Sequence, residues 1–160
     1  MAPDTIMTDI DVAHDDHLLS KRKQVKVCQA LGAPAICQRV EDTVNAFSDG
    51  IARRAKALSG EHDCSVTSGR ISGVTYYYHA EGGDCSTTAQ EVTIAGAIEH
   101  HIKNINGGKL CQTECLNLSH GGTWNGYLLI GPTNGFDSSK YCGPKLGFGK
   151  CDSGGKKNFG

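Results

Sequence analysis

The sequence predicts an α+β protein. The expected architecture is a two-layer sandwich: an antiparallel sheet of four or so strands, two helices on one face, and disulfide staples. Three observations carry this. The element order reads helix, two strands, helix, two strands. Each helix has one apolar stripe, so both should bury that stripe against the same face of a sheet. The chain has 160 residues, 38% of them apolar, and 8 cysteines. An even, high cysteine count beside a modest core reads as four disulfides in a small extracellular domain.

Residues 1–22 read as an acidic propeptide or disordered tail. The stretch holds Asp4, Asp9, Asp11, Asp15 and Asp16 and ends in Lys21-Arg22, a dibasic processing pair. Every cysteine follows that pair. Met1 to His17 lacks the apolar core of roughly 7–15 residues that a signal peptide needs, so secretion requires a leader removed ahead of it. Residues 23–160 read as one disulfide-rich domain, with a Gly-rich C-terminal segment over 131–160.

The first helix is expected over 34–59. Ile36, Val40, Val44, Phe47, Ile51, Ala55 and Leu58 keep one stripe. Pro34 suits the first turn and Gly60 the stop. Ser48-Asp49-Gly50 is a point where the helix could break, since a mid-helix glycine costs roughly 1 kcal/mol. Arg53-Arg54, a second dibasic pair, falls on a solvated helical face. Cys64 to Thr67 and Val74 to His79 alternate like strands, with a turn expected at Ser68-Gly69-Arg70. The second helix is expected from Thr87 to Ile105. Thr87/Gln90 and Thr88/Glu91 fit a capping box, and Ile94, Ile98, Ile102 and Ile105 form the stripe. Cys115 to His120 and Trp124 to Ile130 read as a hairpin around Gly121-Gly122. Beyond Gly131 the chain has too little apolar surface to order itself, so Cys142 and Cys151 should pin it to the body.

The cysteines are Cys28, Cys37, Cys64, Cys85, Cys111, Cys115, Cys142 and Cys151. Zinc at Cys111 and Cys115 with His120 is the alternative, but the other six show no matching knuckle. Disulfides are therefore expected, with the pairing left open, and no metal or cofactor. His100 and His101 are adjacent on a helix, point about 100° apart and read as solvated. His120 could act as a base with Ser119 or Cys115. Strand neighbours point to opposite faces, which argues against a Ser119 dyad. Asn117-Leu118-Ser119 is a glycosylation sequon inside an expected strand. Tyr76, Tyr77, Tyr78 and Trp124 place rings on both faces of the sheet. Tyr77, His120 and Trp124 are the candidate target-binding residues.

The net charge is −1. That excludes a strongly basic nucleic-acid binder. The longest apolar run, Leu128-Leu129-Ile130, excludes a stable helical membrane span.

Two segments carry a resemblance: Tyr76 to Gln90, with its aromatic strand, Gly-x-Cys turn and following helix, and Cys115 to Tyr127, with Cys-Leu-Asn-Leu-Ser-His-Gly-Gly-Thr. Together they resemble small secreted cysteine-rich fungal proteins: the yeast condition-specific secretion proteins and killer-toxin-like proteins of the zygocin and smut-virus kind. The likeness spans roughly residues 60–132. It implies secretion, dibasic processing and a disulfide-stapled α/β sandwich. It also implies non-enzymatic action on a competitor or host cell envelope, with no catalytic residue to transfer. A secreted binding module for a glycan or host protein is the alternative. A small hydrolase using His120 is the third reading.

Overall fold

The computed structural model describes residues 24–31 and 36–153. The Lys21-Arg22 pair, Pro34 and residues 154–160 lie outside the described residues. In chain order the elements are β1 (Lys26–Leu31), β2 (Cys37–Arg39), α1 (Val44–Gly60), β3 (Thr67–Ile71), β4 (Val74–Glu81), a short 3-10 turn (Gly83–Cys85), α2 (Glu91–Asn104), β5 (Lys109–Cys111), β6 (Glu114–Ser119), β7 (Asn125–Pro132) and β8 (Gly149–Ser153). Six strands form one antiparallel sheet in the order β3-β4-β7-β6-β1-β8. Strands β2 and β5 form a separate pair.

The sheet has two unlike faces. Strand side chains alternate, and the register carries that alternation across strands. Val74, Tyr76, Tyr78 and Ala80 share a face with Leu128, Ile130, Leu116, Leu118 and Val27. All of these join one buried cluster with Val44, Phe47, Ile51 and Ala55 of α1 and Ile94, Ile98 and Ile102 of α2. That is the α+β arrangement the stripes predict, with both helices serving one core. The opposite face carries Thr75, Tyr77, His79 and Glu81 beside Asn125, Tyr127 and Leu129, then Cys115 and Asn117, then Cys28.

Several expectations are corrected. Helix α1 begins at Val44, not at 34. Val40 is buried, but its N–H bonds the Gly108 carbonyl at 2.8 Å, and the preceding Cys37–Arg39 pairs with β5. The helix does not break at Gly50. That glycine lets the Ile71 side chain press against the helix where a Cβ would collide. The first hairpin is shifted: strand β3 runs through Ser68-Gly69-Arg70, and Ser72 and Gly73, both at positive φ, make the turn. Helix α2 starts at Glu91, and its N-cap Gln90 makes no side-chain capping bond. Thr87 Oγ1 instead accepts from the Ala89 N–H.

The antiparallel sheet, expected with four or so strands, has six among the described residues. Strand β1, Lys26–Leu31, precedes the first helix, where no element is expected from the sequence. Strand β8 lies inside the Gly-rich segment, where a bridge to β1 supplies the order that composition lacks. All eight cysteines are oxidised, as Cys28–Cys151, Cys37–Cys111, Cys64–Cys85 and Cys115–Cys142. Cys111 and Cys115, the candidate zinc ligands, belong to two different bridges.

Candidate functional site

The helices cover one face of the sheet; the other is covered only in part. After β7 the chain crosses this outer face as a strap, residues 133–148, before entering β8. Beside hydrogen bonds from the Asp137 N–H to Thr113 Oγ1 (2.9 Å) and between the Thr133 and Thr75 hydroxyls (2.7 Å), a disulfide and two ring contacts hold the strap down. Cys142 is bridged to Cys115 of β6. Phe136 stacks on Tyr77 with centroids 5.8 Å apart and planes 7° apart. Phe148 packs on Tyr127 at 6.2 Å. Offset ring pairs at such distances are favourable beyond the area they bury.

Between strap and sheet lies an open cleft of about 290 Å³. Its floor is Tyr77, His79 and Glu81 of β4 with Tyr127 and Leu129 of β7, and its far wall is Ser138, Lys140 and Tyr141 of the strap. Residues 77, 79 and 81 line one side because alternate strand positions share a face. Tyr77 and Tyr141 are 36% and 49% exposed, so their rings are presented to solvent.

The polar groups are ordered. His79 Nε2 lies 2.9 Å from Glu81 Oε2, and the His79 ring stacks on Tyr127 at 5.5 Å. Burial, with Glu81 and Tyr141 nearby, pushes the Tyr127 phenol above its usual range. Tyr127 therefore stays a neutral hydroxyl at physiological pH. The Tyr141 hydroxyl accepts from the Lys145 N–H at 3.1 Å. Aromatic walls with a carboxylate, an imidazole and a lysine at the rim can bind a polar ligand that has apolar faces.

Among the candidate target-binding residues, Tyr77 is in the cleft. His120 and Trp124 are elsewhere. Trp124 is 4% exposed and belongs to the core, so its ring has no open face to present. His120 is 9% exposed, with Nδ1 3.4 Å from Thr88 Oγ1 near the start of α2. Ser119 falls on the outer face and Cys115 is bridged to Cys142, so neither stands as a thiol or hydroxyl for His120 to activate. Asn117 of the sequon lies on the outer face, its amide donating to Asn125 Oδ1 at 3.1 Å. Sequence reading named only Tyr77 of the cleft. The i, i+2, i+4 set Tyr77, His79 and Glu81 was visible as one strand face. Tyr127, Lys140 and Tyr141 join it only through the strap's path.

His100 and His101 are not both solvated. His101 is fully buried, and both rings bond Asp152 of β8. Burial holds His101 below the usual imidazole range, against the pull of Asp152.

Fold and cleft together define a class of protein: a disulfide-stapled α+β domain with an aromatic cleft on the partly covered outer face of its sheet. Residues 15–141 match a family of unknown function, DUF6736, and the chain belongs to that family. No curated protein and no solved structure matches it. No described helix is long and apolar enough to cross a membrane.

Proposed function

We propose that this is a secreted, killer-toxin-like or effector protein that acts without catalysis on the envelope of a competitor or host cell, engaging it through the outer-face cleft. The cleft is the observation that carries the reading: aromatic rings and ordered polar groups open to solvent on a scaffold that four disulfides hold rigid. Disulfides at this density suit an oxidising compartment. The likeness of residues 76–90 and 115–127 to secreted fungal toxins supports the same direction. The test is to add purified oxidised protein to fungal and plant cells. Growth inhibition, dye leakage or a cell-death response that Tyr141→Ala and Glu81→Ala abolish is expected. No response on any cell type counts against it.

A second reading, a glycan-binding module, is favoured by the exposed rings of Tyr77 and Tyr141 beside the Glu81 carboxylate. Rings of this kind stack on the C–H faces of sugars while the carboxylate accepts from hydroxyls. Saturable binding on a glycan array without toxicity would select it over the first.

A further inference from the structure

Seven large apolar side chains are exposed among the described residues, and three of them, Val66, Tyr77 and Tyr141, line the outer-face cleft. The other four, Leu31, Ile36, Val92 and Ile105, lie outside it. Single exposed apolar residues need no explanation, but a group around a concave site marks a contact surface. Val66 is the most exposed of the seven, at 60%.

The same cleft carries a negative charge on its floor and a positive one on its far wall. Glu81 belongs to the sheet and Lys140 to the strap. They are not paired with each other. His79 takes up one oxygen of the Glu81 carboxylate, Nε2 to Oε2 at 2.9 Å. No described carboxylate lies within ion-pair distance of Lys140. Asp137, the nearest acid along the strap, accepts at Oδ1 from the Ser139 N–H and hydroxyl, at 3.0 and 2.5 Å. Phe136 stacks on Tyr77, so that ring is held in place while it stays partly open to solvent.

A ligand that satisfies floor and wall together carries both signs of charge on a short frame. Tyrosine rings beside a carboxylate favour a weakly hydrated cation, and a quaternary ammonium group is the cation that such rings recognise best. A lysine is a compact donor suited to a phosphate oxygen. Phosphocholine joins these two groups. A neutral sugar would stack on the rings but leave both charges to water. The exposed rim selects the source: an apolar side chain and a tyrosine at the mouth suit the headgroup level of a bilayer, where tyrosine rings settle. The cleft is open, so a headgroup can enter while its acyl chains stay outside.

We propose that the outer-face cleft is a headgroup site for choline phospholipids. The trimethylammonium group lies against Tyr77, Tyr141 and the Glu81 carboxylate, the phosphate meets Lys140, and Val66 and Tyr141 enter the interface. This rests on the reading of the cleft as an envelope-binding site and names the component it engages.

The experiment is flotation of the oxidised protein with vesicles of pure phosphatidylcholine or pure phosphatidylglycerol, beside an NMR titration with soluble phosphocholine. Retention on phosphatidylcholine, displaced by phosphocholine, is expected. Glu81→Gln and Lys140→Gln, both at exposed positions, should each weaken phosphocholine binding about tenfold. Val66→Ser should lower vesicle retention more than it lowers phosphocholine affinity. Preference for phosphatidylglycerol, a titration without shifts, or shifts that Glu81→Gln leaves intact overturn the headgroup site. A cell response or glycan binding that depends on the cleft, with no competition by phosphocholine, overturns the headgroup site and keeps the cleft as a binding site. Loss of all three overturns both.

Discussion

The Tyr77 ring lies face to face with Phe136, 5.8 Å between centroids and 7° from parallel. The pair joins the outer face of the sheet to a strap that has little secondary structure of its own. Turns and bends make up most of the strap, and its attachment is made by this stack, the Phe148–Tyr127 contact, the Cys115–Cys142 bridge and the hydrogen bonds of Thr133 and Asp137 to the body.

Tyr77→Ala should therefore act locally. The lost ring pair should cost about 1 kcal/mol of global stability. The strap should become the first site of limited proteolysis, and cleft binding should fall. Equal cleavage kinetics in wild type and variant would show that the stack does not hold the strap.

The Cys28–Cys151 bridge closes a loop of 123 residues between the first and last described cysteines. A long closed loop restricts the unfolded chain strongly, so Cys28→Ser with Cys151→Ser should lose about 2–5 kcal/mol. Denaturant unfolding of the double variant measures it, and β8 should be the most exposed element in the folded variant. A loss below about 0.5 kcal/mol would mean that strand pairing and Asp152 already order the segment.

Phe47 has no exposed surface and sits where α1 meets the inner face of the sheet. Phe47→Ala should cost about 3–5 kcal/mol, because the cavity adds to the lost burial. Thermal or chemical unfolding reads this directly.

Glu114 is 2% exposed, and burial raises its carboxyl above the usual range even though the Cys111 N–H and Asn106 favour the anion. The folded state therefore holds this proton more tightly than the unfolded chain does. That sign means the Glu114 contribution improves as pH falls into the carboxylate range and worsens as pH rises through it. The wild type should gain on Glu114→Gln between about pH 7 and pH 4, read as the difference between their unfolding free energies. The opposite slope would mean that its hydrogen bonds outweigh its burial.

The sequence's legibility follows from how local each signal is. Ile94, Ile98 and Ile102 lie one turn apart in a continuous stripe, and α2 contains them. The stripe of α1 was carried too far toward the N-terminus. Val40 is as buried as a helical residue but reaches the core from a loop, and periodicity sees only the spacing. Alternation alone does not locate the first hairpin turn: it is expected at Ser68-Gly69-Arg70, and Ser72-Gly73 makes it. Trp124 looked presentable because its strand is aromatic, yet its position after the turn faces the core. His101 is expected with His100 on a solvated helix face, yet it is fully buried. The carboxylate that buries it lies 51 residues away, on a strand that composition did not predict. The cleft was legible only on its β4 side, for the same reason.

Lys26, the first residue of β1, stands directly opposite Ser153, the last of β8. The chain thus enters and leaves the described body at one corner of the sheet. Anything fused, tethered or immobilised at either side of the domain departs from that same corner, two strands removed from the β4–β7 floor of the cleft. A carrier grafted there would sit beside the cleft, at the end of the sheet where Glu81 stands in the same row as Lys26 and Ser153.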